Sequence, residues 1–382
     1  MECYLDNSAT TPVCREAADA VYDALLNNWG NPSSLYKKGI EAENIVESAR
    51  EAVAEKLSCR SEEVFFTSGG TESNNIAVLG TAASYGKKGR IIISSVEHSS
   101  IEEPAKKLEK AGYDIVRLGV DRYGMIDENE LYNAVTPDTI LISVMAVNNE
   151  VGTIEPIRSL RRAAAKTRAL VHVDAVQAFG KTDIRPSAIG ADLMSISSHK
   201  IHGPKGAGAL YIRGGFKKDR AGVRISPRTF GGLQEKTLRP GTEPVPAIAG
   251  FGAAVRALPD TAAELKKITL LRDYLIDSLR AVDGVVINSP PDALPFVTNI
   301  SVLGIKSEPM MNYLSSVGIY VSSGSACSKG QKSRVLRAMG ISDENISSAL
   351  RISFSRFTTS DEIDMLINGI IEGRKKIRSS RR

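Results

Sequence analysis

A continuous apolar run at residues 140–145 places the strongest constraint on the fold of this chain. Such a run is typical of a strand that is buried on both faces of a parallel sheet. Similar runs occur at 90–95 and 170–174, and each of them ends in polar residues. Apolar residues at helical spacing lie between the runs, over 101–111 and 157–167. The alternation of strand and helix patterns predicts an α/β fold.

Length and charge limit the class of protein. A chain of 382 residues, 42% of them hydrophobic, can form two domains or one large domain with an appendage. The net charge of +5 arises in the last nine residues, which hold six lysines and arginines and no acid, so that the rest of the chain carries −1. We therefore expect no nucleic-acid surface, and we interpret residues 374–382 as a solvated, frayed end.

The positions of the cysteines and histidines argue against a disulfide-rich protein and against a zinc protein. The four cysteines, at positions 3, 14, 59 and 327, have no paired spacing. This argues against a disulfide framework or a zinc knuckle and fits a reducing compartment. The histidines lack zinc-ligand spacing, and no Gly-x-Ser-x-Gly elbow is present. With no leader and no apolar run of membrane-spanning length, we expect a cytoplasmic protein without a metal site.

Residues 195–206 carry the first chemical signal. Lys200 follows an apolar strand pattern, stands between His199 and His202, and has few acids beside it. Burial lowers the pKa of a lysine amine, and the neutral amine can act as a nucleophile in Schiff-base chemistry. On this stretch alone, a surface lysine in a Gly-Pro loop explains the pattern equally well.

A strand–glycine–helix junction is the second signal. The strand at 65–68 runs into Gly69, Gly70 and Thr71, which open a helix. Backbone amides that converge at a helix start, with a hydroxyl nearby, form a cradle for phosphate. The absence of a following Gly-Lys-Ser/Thr excludes a Walker loop. A tight strand-to-helix turn without a ligand is the alternative.

The third signal is Asp174, an acid at the end of a buried strand. A buried carboxylate is costly unless a positive partner meets it, such as a protonated ring nitrogen or an arginine. Gln177 could reach the same ligand, and His98 stands at a strand end, where α/β sheets place ligands. A phosphate cradle, an acid and a lysine on successive strand ends are the contacts that pyridoxal 5'-phosphate (PLP) needs. We therefore predict a PLP site.

The last signals lie near the C-terminus. Cys327 stands in a Ser/Gly-rich loop, followed by Lys329, Lys332 and Arg334, which would favour its thiolate. Because the loop supplies no apolar neighbours for a core, we expect this cysteine to be functional. Arg351 interrupts an apolar strand pattern, which predicts either a bound carboxylate or a structural ion pair.

Taken together, these motifs resemble those of PLP-dependent cysteine desulfurases of the NifS/IscS type, in the class V aminotransferase family. The resemblance extends from Tyr4 to Phe354 and rests mainly on the segments 67–73, 148–153, 172–177, 198–206 and 322–327. It implies the α/β fold of aspartate aminotransferase-like, fold type I PLP enzymes. A large domain at 14–260 would hold a mostly parallel sheet of seven strands. A smaller α/β domain, built from 1–13 and 261–382, would carry the cysteine loop.

The resemblance also implies roles for individual residues. Lys200 would hold the cofactor aldehyde, His98 would stack on the ring and relay protons, and Cys327 would accept sulfur from L-cysteine. Asn149 and Arg351 would hold the substrate carboxylate. The other cofactor contacts would be Gly70, Thr71, Asn149, Asp174, Gln177, Ser197, His199 and Thr242. Thr242 would contact the cofactor phosphate of the neighbouring subunit in a homodimer. Sulfur would leave to an acceptor protein for iron–sulfur cluster assembly or tRNA thiolation.

Two positions depart from the family pattern, and two other activities compete with the desulfurase. Tyr36 stands where a histidine is common, and Leu233 replaces a glycine. The nearest alternative is a selenocysteine lyase or another class V activity on the same fold. A non-catalytic partner that kept the fold is the alternative from another class. Cys327 favours sulfur transfer over transamination, and Lys200 argues against a protein without catalysis.

Overall fold

The computed structural model describes residues 2–216, 223, 225–323 and 332–379. Its strands are β1 Cys3–Tyr4, β2 Val64–Thr67, β3 Arg90–Ser94, β4 Asp114–Leu118, β5 Thr139–Met145, β6 Leu170–Asp174, β7 Leu193–Ser197, β8 Gly208–Ile212, β9 Val285–Ile287, β10 Val297–Val302, β11 Ile319–Tyr320 and β12 Ala349–Ser353. Its α-helices are α1 Arg15–Leu26, α2 Lys37–Leu57, α3 Gly70–Asn75, α4 Thr81–Ser84, α5 Ser99–Lys110, α6 Glu128–Ala134, α7 Arg158–Ala164, α8 Pro186–Ile189, α9 Val245–Arg256, α10 Thr261–Arg280, α11 Ser307–Ser316, α12 Arg334–Ala338, α13 Asp343–Ser347 and α14 Ser360–Ser379.

A seven-stranded sheet forms the centre of the fold, in the order β2-β8-β7-β6-β5-β3-β4. Strand β8 runs antiparallel to both of its neighbours, and the other pairings are parallel. Strands β5, β6 and β7 are buried along their whole length, which explains their apolar sequences. The predicted α/β fold with a mostly parallel sheet is confirmed.

The register of the central strands brings distant residues to one edge of the sheet. Met145 on β5 pairs with Asp174 on β6, and Asp174 pairs with Ser195 on β7. These positions lie at or near the carboxyl ends of parallel strands. Ligands of open α/β sheets bind at this edge.

Helices α1, α2 and α9 pack together, and α9 contacts both α1 and α2. The contact with α2 depends on Gly252, where a Cβ atom would lie 2.7 Å from the Cβ of Ala49. Apolar residues of α9, including Phe251, pack in the same core as Phe66 of the sheet. The pairing of small residues allows the two backbones to approach closely.

Two smaller sheets join the chain termini. One is antiparallel, in the order β12-β10-β9, and the other pairs β1 with β11 in parallel. An isolated bridge also links Asp6 to Ser353. The N-terminal residues thus join strands from the last third of the chain, as a small domain of 1–13 with 261–382 requires. The boundaries of that division stay a prediction.

The interpretation of 374–382 as a frayed end is wrong for its first part, since α14 continues to Ser379. Arg374 is only 7% exposed, and its Nη2 atom lies 3.8 Å from Asp283 Oδ2. Gly284 makes room for this guanidinium, because a Cβ there would lie 2.8 Å from Nη2. Ile363, Leu366 and Ile370 are fully buried, and this apolar face stabilises the helix.

The described ranges contain neither a membrane-spanning helix nor a metal-binding cluster. No helix in them is long and apolar enough to cross a membrane. No group of three or more histidine, cysteine, aspartate or glutamate side chains in them is arranged to hold a metal ion.

Candidate active site

A cavity of about 670 Å³ opens at the carboxyl ends of β5, β6 and β7. Most of the predicted site residues line it, although they come from distant parts of the chain. These residues are Gly70, Thr71, His98, Asn149, Asp174, Gln177, Ser197, His199, Lys200 and Arg351.

Lys200, which lines this cavity, lies in a short 3₁₀ turn, Ser198–Lys200. It does not end the strand, as the sequence suggested, because β7 stops at Ser197. The Nζ atom donates to the backbone oxygens of Ser8 at 2.5 Å and Ala9 at 2.9 Å. Burial lowers the pKa of Lys200 to about 7, and the nearby charges of Lys181 and Arg351 act in the same direction. A large fraction of the amine is therefore neutral near pH 7.

Asp174 is held by uncharged donors. Asn74 Nδ2 donates to Asp174 Oδ2 at 2.7 Å, and the backbone N–H of Val176 donates to Oδ1 at 3.0 Å. Within the described part of the chain, no lysine or arginine forms a salt bridge with this carboxylate. A buried carboxylate without a protein cation fits a positively charged ligand atom, such as the protonated ring nitrogen of PLP.

A second group of residues that line the cavity fits a phosphate. Ser197 Oγ is buried and has no hydrogen-bond partner among the residues that the structure describes. Gly70 begins α3 and lies close to Val176, whose Cγ2 atom would be 2.6 Å from a Cβ at this position. A helix start, an unpartnered hydroxyl and a neighbouring threonine, Thr71, suit an anion. Both groups of lining residues therefore fit PLP.

Burial lowers the pKa of two histidines in the cavity wall. Burial lowers the pKa of His199 to about 4, and its Nδ1 atom lies 3.2 Å from Thr10 Oγ1. Burial also lowers the pKa of His98, although the charge of Asp174 opposes this effect. His98 caps α5, where its Nδ1 atom accepts from the backbone N–H of Ser100 at 3.2 Å. Its ring therefore has a fixed position.

Arg351 is the most buried arginine of the site, with 1% exposure. Its Nη2 atom donates to Asp6 Oδ1 at 2.7 Å, and Nη1 donates to the backbone oxygen of Asn149 at 3.1 Å. The sequence left a carboxylate ligand and a structural ion pair open. The ion pair with Asp6 is present, and the guanidinium also lines the cavity.

One predicted residue that the structure describes, Thr242, does not line the cavity of the single chain. Thr242 is exposed and lies outside it. Cys327 lies outside the described residues, so its predicted role stays a prediction. Sequence reasoning also missed Asn74 and Lys181. Asn74 stands one helical turn after Gly70, but its partner Asp174 is 100 positions away, and only the folded sheet brings them together.

The chain belongs to the aminotransferase class-V family, whose model matches residues 3–366. The match includes every strand of the three sheets. Enzymes of this family use PLP, which the residues that line the cavity fit.

Individual relatives show which group of the class-V family the chain resembles. The chain is 40% identical to "Cysteine desulfurase IscS" of Methanosarcina thermophila, over 98% of this chain and 93% of the relative. It is 38% identical to "Cysteine desulfurase, mitochondrial" of Saccharomyces cerevisiae, over 98% of this chain and 75% of the relative. A solved "NIFS-LIKE PROTEIN" is 37% identical and superposes with a TM-score of 0.90, over 97% of this chain and 99% of that chain. Within the class-V family, the chain therefore belongs to the cysteine desulfurases, and the predicted family, fold and cofactor are confirmed.

Proposed function

We propose that this protein takes sulfur from L-cysteine, releases L-alanine, and passes the sulfur through a persulfide on Cys327 to an acceptor protein. One observation carries the proposal. The low-pKa amine of Lys200 shares a single cavity with Asp174 and Arg351. When bound, PLP supplies an aldehyde for the amine and an electron-withdrawing ring that stabilises negative charge at the substrate Cα.

Lys200 and Asp174 have complementary tasks. The Asp174 carboxylate, oriented by Asn74, would keep the ring nitrogen protonated. The Lys200 amine, with a pKa of about 7, is available in neutral form to bond the aldehyde. As a general base beside the cofactor, the same amine would be placed to take the Cα proton of the substrate.

The substrate would be held by its carboxylate. Arg351 offers a buried guanidinium at the cavity wall, and Asn149 lies beside it. A guanidinium fork suits a carboxylate better than an ammonium group does. His98 would lie against the ring and move protons, since an imidazole can accept and donate them and burial lowers the pKa of this one.

Cys327 would accept the sulfur atom of the substrate. Its thiolate would attack the substrate sulfur and form a sulfur–sulfur bond. The carbon–sulfur bond breaks, its electron pair stays on the carbon fragment, and that carbon takes up a proton to become the methyl group of alanine. The reaction needs no external oxidant, because cysteine and the thiol become alanine and the persulfide.

The proposal includes a homodimer, in which Thr242 of one subunit would contact the cofactor phosphate of the other. The exposure of Thr242 in the single chain supports this role. An acceptor in iron–sulfur cluster assembly or tRNA thiolation, and a location in the cytoplasm, follow from sequence reasoning alone and stay predictions.

Two variants test the proposal against the wild type. Each purified protein is incubated with PLP, L-cysteine and a thiol reductant, and we measure visible cofactor absorbance, alanine and sulfide. The wild type should be yellow and form both products. Lys200→Ala should lose the absorbance of the lysine-bound cofactor and form neither product. Cys327→Ser should stay yellow and release less than about a hundredth of the sulfide.

Cys59→Ser is the matched control, because Cys59 is half-buried and lies away from the cavity. It should retain both products at the wild-type rate. Sulfide release by Cys327→Ser at the wild-type rate would contradict the persulfide route. Selenocysteine would then be the next substrate to assay, because a lyase needs no acceptor thiol.

A further inference from the structure

Lys181 is a buried lysine to which the proposed mechanism gives no role. It is 7% exposed, and within the described ranges no carboxylate oxygen lies within 4 Å of its Nζ atom. Nζ donates to Gln177 Oε1 at 3.1 Å and lies 5.6 Å from the ring centroid of Phe296. Burying an ammonium group without an anion is costly, so a purely structural role would favour an apolar residue here.

A chain of hydrogen bonds connects Lys181 to Lys200. Gln177 Oε1 accepts from Lys181, and Gln177 Nε2 donates to the backbone oxygen of Ser8 at 3.1 Å. The same Ser8 oxygen accepts from Lys200 Nζ at 2.5 Å. Because an ammonium group can only donate, Lys181 fixes which end of the Gln177 amide is the oxygen. The NH₂ end then points toward Ser8, at the cavity wall.

The two lysines also share an electrostatic environment. Both line a second small cavity of about 20 Å³, next to the main one. Charge on Lys181 lowers the pKa of Lys200, after burial the largest cause of that shift. A cationic neighbour is a known means of keeping a nucleophilic lysine neutral. The other charged or titratable groups that face the pair are Asp6, His98, Asp174, His199, His202, Glu264 and Arg351.

We propose that Lys181 is a positioning residue of the active site, which orients Gln177 and keeps the Lys200 amine neutral and ready for the cofactor aldehyde. The inference deepens the proposed function and rests on the role of Lys200 in it. Lys181 lines the second cavity and not the main one, so it acts through its neighbours and not on the substrate.

The test compares Lys181→Met, which removes the charge and keeps the length, with Lys181→Arg, which keeps the charge. The full-length chain is freed of PLP, and the rate of covalent PLP capture is measured by absorbance from pH 5.5 to pH 9. Only the neutral amine reacts, so the midpoint of this profile reports the titration of Lys200. Loss of a nearby positive charge should raise the midpoint by about one pH unit in Lys181→Met and slow capture at pH 7 about fivefold. Lys181→Arg should keep a midpoint near that of the wild type.

An unchanged midpoint in a folded Lys181→Met protein, with folding checked by circular dichroism, would overturn the inference. If this variant does not fold, the same profile in Lys181→Gln, which also lacks the charge, decides the matter. Lys200→Ala separates this failure from that of the proposed function. Covalent capture that persists in Lys200→Ala would show that another amine reacts, which contradicts the role of Lys200 and not only that of Lys181.

A second readout tests the orientation of Gln177. The visible absorbance maximum of bound PLP should shift in Lys181→Met, because the Gln177 amide, which lines the main cavity, is no longer held by Lys181. In a Gln177→Leu background, Lys181→Met should still move the pH midpoint but leave the maximum where Gln177→Leu placed it. A further shift of the maximum in that background would contradict an action through Gln177.

Discussion

At the residue scale, two neighbouring hydroxyls allow ligand binding to be separated from packing. Ser197 and Ser198 are both buried, and neither Oγ atom has a hydrogen-bond partner among the described residues. Only Ser197 lines the cavity beside Gly70 and Thr71. A buried hydroxyl without a partner is unfavourable in the free protein, so a ligand is expected to use that of Ser197.

We therefore expect Ser197→Ala to weaken PLP binding about tenfold or more, since a hydrogen bond to a charged phosphate is lost. The free energy of unfolding of the cofactor-free chain should not fall, because no internal hydrogen bond is removed. PLP titration and urea unfolding measure the two quantities. Ser198→Ala is the control and should bind PLP as the wild type does. An equal loss in both variants would assign the effect to the 3₁₀ turn and not to the phosphate cradle.

At the scale of elements, the packing of α9 on α2 depends on the absence of one side chain. Alanine inside a helix is ordinarily more stable than glycine by about 1 kcal/mol. At Gly252 the added Cβ would lie 2.7 Å from both the Cα and the Cβ of Ala49, which cannot rotate away. Overpacking of this kind typically costs about 1–3 kcal/mol.

Gly252→Ala should therefore lower the free energy of unfolding by about 1–3 kcal/mol, opposite in sign to helix propensity. Denaturant unfolding monitored by circular dichroism measures the change. Gly86→Ala is the control for adding a methyl group, since nothing lies within 4 Å of its Cβ position, and it should change stability by less than about 0.5 kcal/mol. A stabilised Gly252→Ala protein would show that the two helices can separate without cost.

At the scale of the whole molecule, a buried acid makes global stability depend on pH. Burial raises the pKa of Glu155 from its ordinary 4.5 to about 8, although the backbone N–H of Ile126 donates to the carboxyl. Between these two values the unfolded chain has lost this proton and the folded chain retains it. The unfolded state binds fewer protons, so the free energy of unfolding falls as pH rises from 4.5 to 8.

Glu155→Gln should remove this contribution, about 1.4 kcal/mol per pH unit at most, and its stability should exceed that of the wild type increasingly toward pH 8. The amide oxygen can still accept from Ile126. Urea unfolding at several pH values between 4.5 and 8 measures the slope. The exposed substitution Glu51→Gln should leave the slope unchanged. Equal slopes in wild type and Glu155→Gln would mean that the buried carboxyl ionises in the folded protein.

The amino-acid sequence by itself determined the elements and the chemistry of the candidate site. Continuous apolar runs predicted the central strands β5 and β6, because burial on both faces leaves no position for polar residues. Lys200 and Asp174 were identified because burying a charged side chain is costly unless a partner or a ligand offsets the cost. These inferences depend only on residues near one another in the chain.

The tertiary structure alone decided which distant residues meet. Asn74 holds Asp174 across 100 positions, and hydrogen bonds connect Lys181 to Lys200 through Gln177 and the N-terminal residue Ser8. It also placed the basic residues 374–376 in α14, since the apolar face that stabilises this helix packs on other elements. Local periodicity does not determine the order of the strands or the space that Gly284 leaves for Arg374. Such contacts exist only after the sheet and the helices have packed.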